Sequence, residues 1–336
     1  QCLECRKTCC TETGCRVCSC DPDDVTAFYV TGEALYWKAA EGGLTNVVKG
    51  VPIGAQILGG RSKHPRFNWH WGFRLDAGYN MCYDLWDIYA SWTRFHFQDR
   101  KNTNLGPDRD PFIEGFPSLF PFWVPGFFTS PTVNQSETEW KVRLDVIDLQ
   151  LGREFYVTNY LSLKPHLGLR TAWIHQTYNI TDFSDASSFL ETGVRTASMD
   201  MKNNFWGIGI VGGLDTTWDI GCGFTIYGNG ALSILDGHFQ NKFRFSSTFL
   251  DEKLLNSDHQ NMAVLVADLA LGLRWDTSFG CDWYRLGIWT GYEQHVYFEQ
   301  NQFMNYQFFS LSLPVYYTNG GNLSTNGLVI GMEFAF

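Results

Sequence analysis

The residues best equipped for chemistry are ten cysteines, and seven of them crowd into the first twenty positions: Cys2, Cys5, Cys9, Cys10, Cys15, Cys18 and Cys20. Two Cys-x-x-Cys pairs, Cys2 with Cys5 and Cys15 with Cys18, have the spacing of a zinc ribbon, in which four thiolates close tetrahedrally on one ion. Oxidation is the competing chemistry. Thiols this dense in an exported chain form disulfides, because oxidising compartments preserve them and so polar a segment has no core to hold it. The expectation is therefore disulfides and no metal. Seven is odd, so at least one thiol stays free or pairs elsewhere, in this chain or another. The sequence leaves the pairing open.

Two other spacings imitate acid–base pairs, Glu293 with His295 and Asp215 with Asp219. No Gly-x-Ser-x-Gly elbow, His-Glu-x-x-His or phosphate loop accompanies them. The eight histidines are scattered, as pairing or filling groups usually are. We expect neither catalysis nor a cofactor.

The elements that must position these residues follow from composition and period. Among 336 residues 44% are apolar and 16% aromatic, which excludes a disordered chain, and no run of about 18 apolar residues marks a membrane helix. The mean hydropathy of −0.19 is too polar for a helical membrane protein. It suits a transmembrane barrel with a polar lumen and aromatic girdles. The net charge of −10, with no basic stripe, excludes a nucleic-acid partner. Gln1 opens the chain without Met, as expected of a processed, exported protein.

From Thr26 onward polarity alternates with a period of two, the signature of strands with two different faces. Ten segments show it: 26–38, 66–81, 84–98, 139–156, 160–178, 201–219, 223–243, 262–278, 282–299 and 326–336. In 262–278, Ala263, Leu265, Ala267, Leu269, Leu271, Leu273 and Trp275 share one face, opposite Val264, Val266, Asp268, Arg274 and Asp276. Connections alternate between short, near Cys82, Asn159, Cys222 and Cys281, and long, over 39–65, 99–138, 179–200, 244–261 and 300–325. Short periplasmic turns and long outer loops are the habit of outer-membrane barrels. An even strand count then puts both termini in the periplasm, so all ten cysteines meet in one oxidising layer. The predicted fold is all-β, a transmembrane antiparallel barrel of about ten strands within a range of eight to twelve, spanning 26–336 behind a cysteine-rich periplasmic segment, 1–25. In the last strand Leu328, Ile330, Met332, Phe334 and Phe336 share the apolar face, and Phe334 and Phe336 fit the terminal signal read by barrel-assembly machinery.

Two stretches carry a resemblance. Ala34-Leu35-Tyr36-Trp37-Lys38 followed by Glu41-Gly42-Gly43-Leu44, and Phe67-Asn68-Trp69-His70-Trp71-Gly72-Phe73-Arg74 followed by Gly78-Tyr79-Asn80 and Trp86-Asp87, resemble the first three strands of the Legionella-type major outer membrane protein family. That family also occurs in chlamydia-like bacteria. The resemblance implies an abundant, porin-like barrel, and in chlamydia-like members a disulfide-linked shell that strengthens the envelope. The partners implied are outer-membrane lipid and lipopolysaccharide, and further copies or other cysteine-rich envelope proteins joined through disulfides. A host-surface adhesin with a sealed lumen is the alternative.

About eight strands leave an interior filled by side chains and 16–18 leave a channel, so ten sit near the closed end. Expected lumen residues are Arg74, Asp76, Lys164, His166, Arg170, Asp215, Asp268, Arg274, Arg285, Glu293 and His295. They suit either a narrow solute path or a sealed interior of ion pairs around water. Twelve strands, with additions from 44–58 and 303–317, would favour a pore. The Phe- and Pro-rich loop 99–138 is too apolar to sit in water and is expected to pack on other loops, to lid the mouth or to meet a neighbour.

Overall fold

The computed structural model describes residues 8–11, 14–17, 27–53, 56–81, 85–105, 118–123, 133–188, 191–248, 253–279, 284–308 and 314–336. Ten long antiparallel strands form the wall: β1 (Ala27–Glu41), β2 (Trp69–Met81), β3 (Trp86–Asn104), β4 (Gln135–Arg153), β5 (Leu161–Ser188), β6 (Glu191–Gly221), β7 (Phe224–Ser247), β8 (Lys253–Phe279), β9 (Tyr284–Tyr297) and β10 (Leu323–Ala335). Each pairs with its sequence neighbour, and β10 pairs with β1 to close the ring. Phe28 and Phe336 extend that last ladder by exchanging backbone hydrogen bonds at 3.0 and 2.9 Å. Closure leaves no sheet edge, the condition for a sheet to survive in lipid.

The stagger follows from the register. The ladder row leaving β8 at Leu273 passes Thr290, Ile330, Ala34, Phe73, Arg94, Asp145, Trp173, Trp206 and His238 and re-enters β8 at Asn261, twelve residues away. Such a shear tilts the strands by about 40°. On β6, Trp206 and Trp218 both face outward, twelve residues apart. At about 3.3 Å per residue that tilt separates them by roughly 30 Å along the barrel axis, enough to bracket an apolar band of about 25 Å. Phe28, Trp218, Phe224, Trp275, Tyr284 and Phe334 mark the short-turn edge of the band; Tyr36, Trp69, Trp71, Trp173 and Trp206 mark the other.

The strand count and the two faces agree with the sequence reading, but two long loops do not. Segments 179–200 and 244–261 are mostly strand: β5 and β6 run fifteen residues past Trp173 and Trp206, and β7 and β8 rise beside them. Beyond the tryptophans the faces exchange character. Outward positions become polar, as at Lys202, Gln240, Lys242 and Arg244, while Tyr178, Met199, Met201, Phe243 and Phe245 are buried inside. Water replaces lipid outside, so the apolar residues move in.

Segments 44–58 and 303–317 add nothing to the wall. Val47–Ile53 pairs with Gln56–Lys63 and Ser118–Pro121 in a separate three-stranded sheet, and Met304–Phe308 pairs with Pro314–Thr318. At the opposite end the β6–β7 turn is tight. Cys222 and Gly223 have φ of +57° and +80°, the two left-handed residues a right-twisted hairpin favours. Thr8–Thr11 and Gly14–Val17 form a small hairpin with Cys10 opposite Cys15 in register.

Candidate functional site

Along each wall strand within the apolar band, one residue in two points into the lumen, and the charged ones meet there. Arg170 on β5 grips Asp148 on β4 through Nε at 2.7 Å and Nη2 at 2.8 Å, while its Nη1 donates to Asp268 on β8 and to Ser233 Oγ at 3.1 Å. His295 on β9 lies with Nδ1 2.8 Å from Asp268 and Nε2 3.3 Å from Glu293. Glu293 accepts two hydrogen bonds from Arg74 on β2, at 2.9 and 3.0 Å, and Arg74 donates a third to Glu33 on β1 at 2.6 Å. One chain of ion pairs thus links β4, β5, β8, β9, β2 and β1 across the lumen.

A second tier lies nearer the short-turn end. Lys164 donates to Asp87, which also accepts from Tyr29 Oη at 3.1 Å. Arg274 holds Glu333 and Asp276, each at 2.8 Å, and half-exposed Arg285 adds a contact to Glu333 at 3.2 Å. Between the tiers is a cavity of about 250 Å³, lined by Asp76, Tyr89, Gln150, His166, Asp215 and Asn229 among others, under a ceiling of Trp37, Leu144, Val146 and Tyr297. Asp76 Oδ1 and His166 Nδ1, both lining the cavity, have no protein partner, and the space is large enough for several waters to satisfy them.

Above that ceiling the interior is largely apolar and filled by the described residues, with a few buried polar groups such as Glu41 and Gln176 among them. Leu35, Trp37, Phe95, Trp140, Ile174, Tyr178, Phe205 and Phe239 fill it from the wall, and Leu44, Trp123, Phe303 and Met304 descend from the connections. Polar backbone carried in with them is satisfied. Tyr178 Oη donates to the Leu44 carbonyl at 2.9 Å, Asn203 Nδ2 to the Gln300 carbonyl at 2.8 Å, and Asn301 Nδ2 to the Gly42 carbonyl at 2.7 Å. The Trp123 indole donates to the Thr45 carbonyl. The described part of loop 99–138 therefore packs on other connections over the mouth.

Every residue expected in the lumen is at an inward position, with Arg285 half-exposed at the rim. Eight line the cavity; Lys164 and Arg274 lie in the second tier. Glu33, Thr31, Tyr29 and Trp289 were missed, although alternation from Glu41 down to Tyr29 points to the first three. Of the cysteines, Cys222 is half-buried in its turn, and Cys9, Cys10 and Cys15 fall in the terminal hairpin. Cys2, Cys5, Cys18, Cys20, Cys82 and Cys281 lie outside the described residues. Phe334 and Phe336 face outward at the short-turn edge. No group of His, Cys, Asp and Glu among the described residues has a metal-binding arrangement.

A closed ten-stranded sheet, apolar outside between two aromatic girdles and charged within, defines an integral membrane β-barrel. The chain belongs to the family of the Legionella pneumophila major outer membrane protein precursor, which it matches over residues 21–336, and it is thus a protein of the bacterial outer membrane. Comparison with curated proteins finds no match. Similar solved structures include the outer membrane protease OmpT from Escherichia coli, at 8% identity, 94% of this chain, 97% of that one and a TM-score of 0.44. A FadL homologue from Pseudomonas aeruginosa follows at 7% identity, 93% and 90% coverage and a TM-score of 0.26. The P. putida toluene transporter TodX has 8% identity, the same coverage and a TM-score of 0.24. At these scores none of the three carries a functional argument.

Proposed function

We propose that this protein is a structural barrel of the outer membrane with a sealed lumen, joined by periplasmic disulfides to itself or to other cysteine-rich envelope proteins, and without catalytic activity. One observation carries the reading: the ion-pair chain through Arg170, Asp268, His295, Glu293 and Arg74 crosses a lumen whose mouth is already filled by Leu44, Trp123 and Phe303. A wall this well braced suits load-bearing. The cysteine-dense segment supports cross-linking, because its residues join a wall whose Cys222 turn lies at the same short-turn end.

The arrangement of Glu293 and His295 argues against acid–base work. Both ring nitrogens of His295 face carboxylates, so neither is turned to a substrate. A second reading, a host-surface adhesin, draws on the rise of β5–β8 far beyond the tryptophan belt, which would present a rigid outer surface.

Planar-bilayer recording tests the sealed lumen: purified protein is expected to give no conductance steps across a wide voltage range, and regular steps would replace this reading with a porin. Non-reducing gels test the cross-linking. High oligomers that collapse on reduction are expected, whereas monomer alone would leave only an internal staple.

A further inference from the structure

Part of the outer rim carries cations that no lumen function uses. In one ladder row His96 on β3 stands beside Arg143 on β4, and Arg143 beside His175 on β5. The row beneath is Arg94, Asp145 and Trp173; the row above is Gln98, Lys141 and Thr177, continuing to Lys202 on β6. All of these point outward. Directly below them on the same strands, Trp92, Ile147, Leu149 and Leu169 form the apolar surface that faces lipid. The cations therefore stand where lipid headgroups meet the barrel.

Their charge is incompletely matched by protein. Asp145 holds His96 at 2.8 Å and Arg94 at 3.8 Å, and Glu139 holds Lys141 at 2.8 Å together with Arg100. Arg143, between the two histidines, is exposed and makes no ion pair with any described residue. On the far side of the barrel a comparable row is Gln294, Asn326 and Lys38, with one charge. In a chain of net charge −10 this is a local reversal, set above an apolar column. Long cationic side chains at a bilayer interface pair with anionic headgroups. A guanidinium also forms charge-assisted, two-pronged hydrogen bonds to phosphate.

We infer that the outward face of β3–β5 binds a phosphorylated lipid of the outer leaflet, with its phosphate on Arg143 between His96 and His175 and its acyl chains along Ile147, Leu149 and Leu169. The outer leaflet follows from the position of the strip, at the end opposite the tight turns. The inference rests on the barrel lying in the outer membrane and does not depend on the lumen being sealed.

The test titrates the folded full-length chain in detergent with diphosphorylated lipid A, with the same lipid stripped of phosphate, and with inorganic phosphate. Native mass spectrometry counts retained lipid, and the heat-shifted gel band reports the folded barrel. Preferential retention of the diphosphorylated lipid is expected. Arg143→Ala is expected to weaken it about tenfold or more, the loss of a hydrogen bond to a charged group. His175→Ala moves it in the same direction and keeps the test open should the first variant not fold; Lys38→Ala, on the far side of the barrel, leaves it unchanged. Equal retention of the dephosphorylated lipid, or parental retention by a folded Arg143→Ala, overturns the site. Displacement of the lipid by inorganic phosphate alone would make the strip a free-anion site and overturn it too. Absence of the heat-shifted band in the parent protein would fail the barrel and the site together.

Discussion

Arg170 reaches through the lumen to Asp268, three strands away around the wall, while two of its nitrogens hold Asp148 on the adjacent strand. Asp148 has its ion pair from this guanidinium, and Asp268 shares it with His295. Removing one partner of a buried pair leaves an uncompensated charge, which costs about 3–5 kcal/mol, more than a well-packed apolar substitute regains. Arg170→Met is thus expected to lower unfolding stability in lipid vesicles by about that amount. Arg285 makes its contacts half-exposed, and Arg285→Ala is expected to cost under about 1 kcal/mol. Equal costs in denaturant titrations of the two variants would show that the lumen pairs are as solvated as the rim.

Glycines on the inward face make room for aromatic rings. A Cβ on Gly331 would lie 2.2 Å from the Trp289 ring, whose indole donates to Glu33 at 3.1 Å. Outward Gly32 meets nothing nearer than 3.9 Å. Gly331→Val must displace the indole from its hydrogen bond, and overpacking of this kind costs about 1–3 kcal/mol. Gly32→Ala is expected to be near neutral by the same unfolding assay, so a matching loss at both positions would count against the ring packing.

How much of this was legible in the sequence depends on which solvent each face meets. The ten wall strands were readable because lipid demands apolar residues at alternate positions, as in Trp206, Ile208 and Ile210. The outer halves of β5–β8 were not. On β6 the apolar positions shift from even numbers to odd at Phe205, continuing to Met201 and Met199, because the apolar side now faces a core and not lipid. A local pattern reads that phase change as the end of a strand. Inward charges were recognised by parity, but their partners were not, since Arg74 and Glu293 lie far apart in sequence and meet only when the ring closes. The mouth filling from 298–305 had no period to detect. Asn301 is buried there with Nδ2 donating to the distant Gly42 carbonyl, and the buried Gln300 accepts at its backbone carbonyl from Asn203, partners that only the fold brings near.

Orientation gives a separate prediction. Cys222 sits in a tight turn at the end opposite the protruding strands. After mild reduction, a membrane-impermeant maleimide added to intact cells is expected to leave the peptide containing Cys222 unlabelled and to label it once the outer membrane is permeabilised. A His259→Cys variant, exposed beyond the tryptophan belt, is expected to react in both conditions. Labelling of Cys222 on intact cells would invert the topology.

The closed mouth should loosen as pH rises. Glu41 ends β1 among the mouth-filling groups, fully buried, with Oε1 accepting from Gln176 at 2.7 Å and Oε2 unpartnered. Burial pushes its carboxyl up to about 8, against a smaller lowering by Gln176. Asp182, inside the protruding part of β5, is pushed up by burial to about 7. In an unfolded chain both groups titrate near about 4. Between those limits the folded state holds protons that the unfolded state has lost, so stability falls as pH rises from about 4 to about 8 and levels off above. Hydrogen-exchange protection factors for the amides of 42–46 and 300–305 are expected to drop about tenfold or more between pH 5 and pH 8.5. Glu41→Gln, which keeps the shape and cannot ionise, should remove most of that drop, and Asp182→Asn a smaller part. Protection that rises with pH, or an unchanged drop in Glu41→Gln, would mean that ionisation of this buried carboxyl does not govern the mouth.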